Sequence, residues 1–398
     1  MPGHSRAGDT RGARQPMLRR TPTDRRLRRL VILLLHNRYR HPGGEERAVE
    51  DLKWLIETEL DEDVEVLERD SAALGPARAA AGLLGGGLDP QEIAAAVRRT
   101  GARVVHAHNV HPSLGWRSLA AAREAGARVI LHLHNYRLVC AVGICFTRGA
   151  DCTRCHARDT RPGVRLNCRG GSRVESAIYG AGLALHQQRL AAEVDAFAVP
   201  SAFALRRLRA LGAPVDARAA ILPSVQRNIA ARSTAASGRF ALAAGRLAPE
   251  KGFADAIAGC IAAGLPLVVA GDGPQAAELR ALAAGADVRF TGRLAPSELD
   301  ALRRAAALAI VPSRYAEILP LAALEAMAAG LPVVAADTGG LGELVPAEGR
   351  FAPGDRRALA ERAQALWGDA AAGERARIAA RELSAPASVA ARLAVLYG

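Results

Sequence analysis

The sequence predicts an α/β protein with two parallel-sheet domains in tandem that face a central cleft. From Leu30 onward, short apolar runs alternate with polar or Gly-rich turns and helix-period segments, which is typical of buried parallel strands joined by helices. The 398 residues are enough for two domains of ordinary size. Residues 226–238 are polar and aperiodic, and we interpret them as the linker between the two series of strands.

The first domain is predicted to span residues 29–225 and the second residues 239–383, followed by a final helical segment at 384–398. The apolar runs that predict strands of the first domain are 30–35, 64–67, 104–107, 129–133, 196–199 and 220–222. Those of the second domain are 240–244, 267–270, 288–290, 308–311 and 333–336. Ligands of such domains bind at the carboxyl ends of the strands, so the turns after these runs are the places to search.

The composition excludes several classes of protein. Half of the residues are apolar and 23% are charged, which argues against a disordered or collagen-like chain. The apolar run at 30–35 is far shorter than the ~20 residues that span a bilayer, and no small-residue cleavage site follows the basic segment before it. We therefore expect a cytoplasmic protein.

The amino-terminal segment is strongly basic. Nine arginines and two aspartates give residues 1–30 a net charge of +7, out of +13 for the whole chain. Such a segment can bind nucleic acid or an anionic membrane, but we interpret residues 1–28 as a solvated, disordered tail. A peripheral contact with the inner membrane face stays open, whereas an aromatic content of only 4% argues against nucleic acid.

The turn after the first strand of the second domain has the residues of an anion site. Arg246 and Lys251 lie within the turn 245–252, which ends in Gly252 where a helix is predicted to begin. Two cations on one Gly-containing turn beside a helix start can face the same phosphate group, and the arginine fork suits its oxygens.

A second motif surrounds two glutamates. Pro320 fits the first turn of a helix predicted at 320–329, so Glu317 lies just before this helix and Glu325 lies inside it. The amino end of the helix favours a phosphate beside Glu317. Glu325 stands among apolar neighbours, where a carboxylate without a partner would be costly, and this favours a function in ligand binding for it.

These motifs resemble those of the retaining glycosyltransferases of family 4, in the branch that builds bacterial surface polysaccharides. The resemblance rests on E-x-L-P-L-x-x-L-E-A-M-A-x-G-x-P-V-V (317–334), G-R-L-x-x-E-K-G (245–252), V-A-G-D-G-P (269–274) and F-T-G-R (290–293). It extends to VILLLHNRYRHPGG (31–44) and LHLHNYRLVC (131–140). It implies a GT-B fold of two Rossmann-like domains, with the nucleotide sugar mainly on the second domain and a final helix that crosses back to the first.

The resemblance also implies roles for single residues. Arg246 and Lys251 would bind the diphosphate and stabilise its charge as it leaves, without a catalytic metal. Glu325 would hold the ribose hydroxyls and Glu317 the transferred sugar. The remaining donor contacts would come from the backbone, through the amides of Ile318, Leu319 and Pro320 and through close approach at Gly43 and Gly44. The chain departs from many relatives at Ile318 and Ser224, where they have Asn, and this concerns the detailed donor geometry rather than the class of enzyme.

The first domain contributes histidines at strand ends. His134 follows the strand predicted at 129–133, in an L-H-N context that in the family lies close to the reacting sugar and the acceptor. We predict that its neutral imidazole hydrogen-bonds the donor sugar or the acceptor hydroxyl. His106, His108, His111 and His132 also lie near strand ends, and we interpret these four as structural.

Five of the six cysteines lie between residues 140 and 168, in a predicted insert at 136–170. Such clustering is unlike a disulfide framework and points to a metal. Cys140, Cys152, Cys155 and Cys168 form Cys-x11-Cys-x2-Cys-x12-Cys. Two interpretations stay open. In the first, these four thiolates bind a structural zinc ion, and Cys145 and His156 are rival ligands. In the second, the thiols are reduced and bind no metal. A catalytic zinc is not expected.

The sequence therefore predicts a hexosyltransferase that moves a sugar from a nucleotide-diphosphate sugar to a glycan or lipid-linked acceptor, in cell-surface polysaccharide biosynthesis. One alternative is a non-catalytic basic protein that senses nucleotide sugars or binds nucleic acid through the tail and the cysteine knuckle. Another is a nucleotide-sugar epimerase or a phosphorylase of the same fold. The sequence does not identify the base, the sugar, the acceptor or the linkage.

Overall fold

The computed structural model describes residues 30–40 and 43–398. Within these ranges the chain forms two six-stranded sheets and a two-stranded hairpin. All pairings in the two large sheets are parallel, as the alternating pattern predicts. The basic tail predicted at residues 1–28 lies outside the described residues.

The first sheet has the strand order β2-β1-β3-β4-β7-β8. Its strands are β1 (Val31–Arg38), β2 (Asp63–Asp70), β3 (Val104–Ala107), β4 (Arg128–His132), β7 (Ala196–Val199) and β8 (Ala219–Ile221). Between β4 and β7 lies the hairpin of β5 (Phe146–Thr147) and β6 (Ala150–Asp151). The sheet is buried on both faces, because Leu33 and Leu35 point into one apolar cluster and Ile32 and Leu34 into another.

The second sheet has the order β11-β10-β9-β12-β13-β14. Its strands are β9 (Ala241–Ala244), β10 (Leu267–Ala270), β11 (Val288–Gly292), β12 (Leu308–Val311), β13 (Val333–Ala336) and β14 (Arg350–Phe351). Five strands in the two sheets have the predicted bounds, namely β3, β7, β10, β12 and β13. The sequence pattern did not predict β14, β5 or β6, because a strand of two residues has no periodicity to detect.

Helices cover both faces of each sheet. In the first domain they are α1 (Gly44–Leu55), α2 (Pro76–Gly85), α3 (Pro90–Thr100), α4 (Gly115–Glu124), α5 (Arg161–Arg165), α6 (Arg173–Ala192) and α7 (Ala202–Ala210). A π-helical segment, Ile56–Leu60, extends α1. In the second domain they are α8 (Phe253–Ala263), α9 (Ala276–Leu282), α10 (Pro296–Ala305), α11 (Leu321–Ala328), α12 (Leu341–Leu344), α13 (Arg356–Ala365) and α14 (Ala370–Ser384).

The last helix, α15 (Pro386–Tyr397), packs on the first domain. Val389, Leu393 and Tyr397 lie in the same apolar cluster as Ile32 and Leu34 of β1. The Tyr397 hydroxyl lies 3.0 Å from Nδ1 of His106 on β3. Within the described ranges, no helix combines the length and the apolar character needed to cross a membrane.

The carboxyl ends of the two sheets face each other, and three contacts join them there. The Tyr136 hydroxyl donates to the Ala316 carbonyl at 2.8 Å, and the Ser201 hydroxyl donates to the Ile318 carbonyl. The Ile318 side chain is a member of the first domain's apolar cluster although its backbone belongs to the second domain. The loop that carries Glu317 is therefore packed against both domains.

Candidate active site

The turn after β9 brings Lys251 to the loop after β12. A short 3-10 turn, Pro249–Lys251, precedes Gly252, which adopts φ +69°. A Cβ atom on Gly252 would lie 2.1 Å from the Pro312 carbonyl oxygen, so only glycine permits this approach of the two loops. The Arg314 amide donates to the Glu250 carbonyl at 2.9 Å and fixes their relative position.

Lys251 and Glu317 form an ion pair at the centre of this arrangement. Their Nζ and Oε1 atoms are 2.9 Å apart, and the Glu317 side chain is only 8% exposed. Ser313 donates its hydroxyl to the same carboxylate, and the Lys251 ammonium lies 3.4 Å from the Tyr315 hydroxyl. Burial opposes the charge of Lys251, but the attraction of Glu317 outweighs it and raises the pKa of Lys251 above its ordinary value. The ammonium group is therefore charged throughout the physiological range.

Arg246, the other predicted diphosphate ligand, lies on the same turn with a largely exposed guanidinium that pairs with Glu250. Next to this turn, the buried carboxylate of Asp255 on α8 accepts hydrogen bonds from Arg314 at 2.7 and 2.8 Å and from Arg356 at 2.9 Å. These charge-assisted bonds make the two loops one rigid unit.

Glu325 has partners that the sequence did not reveal. Its two carboxylate oxygens pair with Arg47 of α1, at 3.0 Å, and with the buried Arg303 of α10. Its charge is therefore compensated within the protein, so the cost of an unpartnered carboxylate no longer argues for a ligand at Glu325. Arg47 reaches it from the first domain, so this ion pair also spans the cleft.

The helix predicted at 320–329 is observed as α11, with Pro320 as its N-terminal cap residue. Ile318 and Leu319 precede the helix, as the resemblance requires. Pro320 has no amide hydrogen, so the expectation that it presents a backbone amide to the sugar is wrong. Only Ile318 and Leu319 of these three can donate from the backbone.

Two glycines after β13 pack against the backbone of the loop that carries Glu317. The Gly340 amide donates to the Glu317 carbonyl at 2.7 Å. Gly339 has φ +60°, and a Cβ atom there would lie 2.5 Å from the Glu317 amide nitrogen. A Gly-Gly pair directly after an apolar strand is a visible signal for such support, but Gly339 and Gly340 were not among the predicted site residues.

We expect Gly339→Ala to lower the free energy of unfolding by about 2–5 kcal/mol, through left-handed backbone strain of ~1–2 kcal/mol and overpacking of ~1–3 kcal/mol. Gly354 is the matched control, since it has φ +84° and an added Cβ atom would have no heavy atom within 4 Å. Gly354→Ala should cost only the strain, about 1–2 kcal/mol. Urea denaturation of both variants tests this, and equal losses would show that the Glu317 loop yields freely to the added methyl group.

On the first domain, Gly43 and Gly44 stand at the amino end of α1, and Gly44 faces the second domain. A Cβ atom on Gly44 would lie 3.1 Å from the Leu321 side chain of α11. Glu46 closes the turn by accepting from the Gly43 and Tyr39 amides at 2.7 and 2.9 Å. Burial opposes the charge of this carboxylate, but the nearby His36 imidazole and these amide bonds outweigh it and lower the pKa of Glu46 to about 2.

His134 belongs to a cluster of stacked imidazoles at the ends of β3 and β4. Its ring lies 4.0 Å from that of His132, and its Nε2 atom lies 2.8 Å from Nδ1 of His108. Burial lowers the pKa of His134 to about 3 and also that of His106 to about 3. The rings are therefore neutral at physiological pH, as predicted for His134.

A polar group beside His134 was not predicted. Asn135 donates to Glu45 at 3.2 Å and lies 3.0 Å from the Tyr39 hydroxyl, which itself donates to Glu45 at 2.7 Å. The Arg137 guanidinium stacks over the Tyr39 ring. The signal was present in the run Asn135-Tyr136-Arg137 directly after a buried strand, because polar residues at strand ends of parallel sheets face the cleft.

The cysteine cluster is brought together at one side of this loop. Cys140, Cys145, Cys152, Cys155 and Cys168 all line one cavity of about 20 Å³. Hydrogen bonds from the Cys145 thiol and from the amides of residues 142, 143 and 145 lower the pKa of Cys140 to about 6, although burial opposes this. In the described part of the chain, the three potential metal ligands whose donor atoms lie within 4.8 Å of one another are instead His106, His108 and His132.

The structure thus brings Lys251, Glu317, Ile318 and Leu319 into one constellation, with Arg246 on its exposed side. Gly44 faces this constellation across the cleft. Glu325 lies further along α11 and is covered by Arg47. The cysteines form a separate centre in the first domain.

Comparison with known proteins agrees with this architecture. Residues 238–369 match the family model described as Glycosyl transferases group 1, and all four second-domain motifs named above fall inside this match. A glycogen synthase of Mycobacterium tuberculosis (strain ATCC 25618 / H37Rv) is 41% identical over 154 residues, which are 35% of this chain and 36% of that protein. A 2-deoxystreptamine glucosyltransferase of Streptomyces kanamyceticus is 40% identical over 110 residues, 25% of this chain and 28% of that protein. The chain thus spans about a third of the length of these curated relatives.

Solved structures are similar over nearly the whole chain. The sucrose-phosphate synthase of Thermosynechococcus elongatus has a TM-score of 0.65 at 19% identity, covering 93% of this chain and 98% of that one. The HepE protein of Anabaena, solved with UDP-glucose, has a TM-score of 0.59 at 16% identity, covering 92% and 98%. The chain has the GT-B fold, and the resemblance stated from the second-domain motifs is confirmed for residues 238–369, which match the model of glycosyl transferases group 1.

Proposed function

We propose that the chain is a retaining glycosyltransferase of family 4 that transfers a hexose from a nucleotide-diphosphate sugar to a hydroxyl group of a glycan or lipid-linked acceptor. The observation that supports this most strongly is the Lys251–Glu317 ion pair, with its buried carboxylate, at the amino end of α11, which faces the strand ends of the other domain. The pair lies in the segment matched by the group 1 family model.

Arg246 and Lys251 are proposed to bind the diphosphate. The Lys251 ammonium has three hydrogens, and Glu317 and Tyr315 account for two partners, so one donor stays available for a phosphate oxygen. The exposed guanidinium of Arg246 adds a bidentate fork. Both cations would stabilise the charge that grows on the diphosphate as the bond to the sugar breaks.

Glu317 and the amides of Ile318 and Leu319 are proposed to hold the transferred sugar. Glu325 is proposed to accept from the ribose hydroxyls. Arg47 and Arg303 each pair with one of its oxygens, but a carboxylate oxygen accepts more than one hydrogen bond, so a ribose hydroxyl can bind beside them. If the ribose displaces an arginine, Arg47 is the one that can leave, because its side chain is 43% exposed whereas that of Arg303 is 5% exposed.

The acceptor is proposed to bind on the first domain, near Gly43, Gly44 and His134 and beside the cysteine insert. The neutral imidazole of His134 can accept a hydrogen bond from a sugar hydroxyl without adding charge to the site. In a front-face reaction the acceptor oxygen bonds to the anomeric carbon as the diphosphate leaves on the same side. The hydroxyl proton then passes to the departing phosphate oxygen, so no side chain need act as a covalent nucleophile.

UDP-glucose is the first donor to test, because a structural neighbour was solved with it. GDP-mannose is the second, since another relative is named as a GDP-mannose-dependent mannosyltransferase that acts on a phosphatidylinositol dimannoside. A lipid-linked acceptor of that kind would place the chain at the inner membrane face, in agreement with a role in surface-polysaccharide biosynthesis and with the basic segment at residues 1–28.

The test is release of nucleoside diphosphate from UDP-, GDP-, ADP- and dTDP-sugars, followed by mass spectrometry with and without a panel of glycan and polyprenyl-phosphate acceptors. We expect one donor to be consumed, slowly as hydrolysis and faster with an acceptor, and Glu317→Ala to abolish both. Proton NMR of the product then gives the anomeric configuration.

Consumption of no donor by the folded full-length chain would contradict the proposal. If the same protein then bound polyanions in a salt-dependent manner, and lost this binding on deletion of residues 1–28, a non-catalytic basic protein would be the better description.

A further inference from the structure

The cysteine-lined cavity is a second centre that the proposed transfer reaction does not use. Its sulfur atoms come from three separate segments of the insert: the turn after Tyr136, the stretch that follows β6 and the end of α5. The cavity of about 20 Å³ has room for about one water-sized occupant. Five thiols of one chain that converge on a space of this size form a donor set for a soft metal ion.

Cys145 differs from the other four cysteines in its burial, although it lines the same cavity and its thiol bonds to Cys140. Its side chain is only 4% exposed and lies in the apolar cluster of the first domain with Tyr136, Leu138 and Val139, where a thiol packs as a small apolar group. Cys140, Cys152, Cys155 and Cys168 are each partly exposed at the cavity. The sixth cysteine, Cys260, is buried on α8 of the other domain.

We propose that Cys140, Cys152, Cys155 and Cys168 bind one Zn²⁺ ion as four thiolates, with Cys145 as a packing residue outside the ligand set. Each thiol loses its proton to solvent as its Zn–S bond forms, so the centre carries a net charge of −2. Arg154 also lines the cavity, and its cation offsets part of this charge.

Binding would draw the three segments together. Four sulfurs bound to zinc at ~2.3 Å in a tetrahedron lie ~3.8 Å apart. In the described part of the chain, the only three potential ligands with donor atoms within 4.8 Å of one another are His106, His108 and His132. The sulfurs must therefore move closer together when the ion binds. The insert has little regular structure to resist this movement, because β5, β6 and α5 contain two, two and five residues. A segment of this kind gains most of its order from a metal.

The centre is linked to the Glu317 loop through one turn of chain. The Tyr136 amide donates to the Gly143 carbonyl at 2.8 Å, and the Cys140 amide donates to the Tyr136 carbonyl at 2.9 Å. The Tyr136 hydroxyl then bonds the Ala316 carbonyl of the opposite domain. The ion would therefore act as a positioning device for Tyr136, and only this last step rests on the proposed function.

The experiment is metal analysis of the full-length chain, purified under reducing conditions and dialysed against metal-free buffer, by inductively coupled plasma mass spectrometry. We expect about one zinc per chain in the wild type and less than about 0.2 in Cys155→Ala and Cys168→Ala. Cys145→Ala and Cys260→Ala are the matched controls and should keep the full zinc content. Replacement by Co²⁺ should give the intense absorption of a tetrahedral thiolate site in wild type and in both controls.

Absence of zinc in the wild type, together with failure to take up Co²⁺, would overturn the proposal. So would zinc that persists in Cys155→Ala but disappears in His108→Ala, because the ion would then belong to the histidine set. Circular dichroism shows whether each cysteine variant is folded. Titration of reactive thiols in the wild type, before and after zinc removal, gives the number of ligands without any substitution. None of these measurements requires transferase activity.

Discussion

Lys251→Met is expected to lower donor turnover by about 10²–10³-fold, because removing one group that stabilises a developing anion costs ~2.7–4 kcal/mol of the activation free energy. The loss should appear in kcat, since the charge on the diphosphate grows as the bond breaks. Steady-state release of nucleoside diphosphate from the donor identified in the panel measures it.

The chain supplies an unusually clean control, because its only other lysine is Lys53. Lys53 lies on α1 and pairs with Glu57 on the exposed surface. Lys53→Met changes the same chemical group and should leave turnover within twofold of wild type. Equal turnover of Lys251→Met and wild type would show that this ammonium does not face the leaving group.

Glu317→Gln is expected to lower the free energy of unfolding by about 3 kcal/mol at pH 7, the lower end of what breaking a buried ion pair costs. The lower end applies because the Lys251 side chain is 25% exposed. The variant leaves a partly buried ammonium without its carboxylate. Urea denaturation, with each domain's transition followed separately, measures the loss.

This loss should shrink as the pH rises. In the wild type the pKa of Lys251 is raised in the folded state, so the stabilisation is complete below the unfolded pKa of ~10.4 and is lost only above it. In Glu317→Gln, burial is the dominant influence that remains and it lowers the folded pKa. The variant therefore gains stability between pH 7 and 10, and the gap to wild type narrows.

The double variant Lys251→Met/Glu317→Gln separates stability from function. It removes both charges, so it should be more stable than Glu317→Gln while its turnover stays as low as that of Lys251→Met. A double variant no more stable than Glu317→Gln would mean that the unpaired Lys251 ammonium costs little in the folded state, and the pH dependence should then be absent as well.

The sequence allowed the strands and the central constellation to be predicted, for identifiable physical reasons. Buried parallel strands such as β10 and β12 are uninterrupted apolar runs, and their turns carry the polar residues. Lys251 was found on the turn that follows the strand predicted at 240–244, and Glu317 just before the helix predicted at 320–329. The pattern cannot show that the two form an ion pair, since this depends on how closely two loops pack, and that depends on the backbone of Gly252.

The partners of Glu325 could not be predicted for a related reason. Arg303 lies on a different helix and Arg47 in a different domain, and no spacing in the sequence connects them. The chain contains many arginines on helix surfaces, so none of them stands out. The contact of Tyr136 with Ala316 was hidden in the same way, because it exists only when the two domains are in place.

The Ile318 side chain, which leaves its own domain to enter the apolar cluster of the other, has a consequence for how ligands enter. Separating the domains returns this side chain to water, at a cost of about 2 kcal/mol. This term alone favours the closed arrangement by about thirtyfold. On this term alone, about 3% of the molecules would be in the open arrangement through which a donor enters. Burial of Ile318 therefore opposes domain opening and weakens the apparent affinity for a donor that binds the open form.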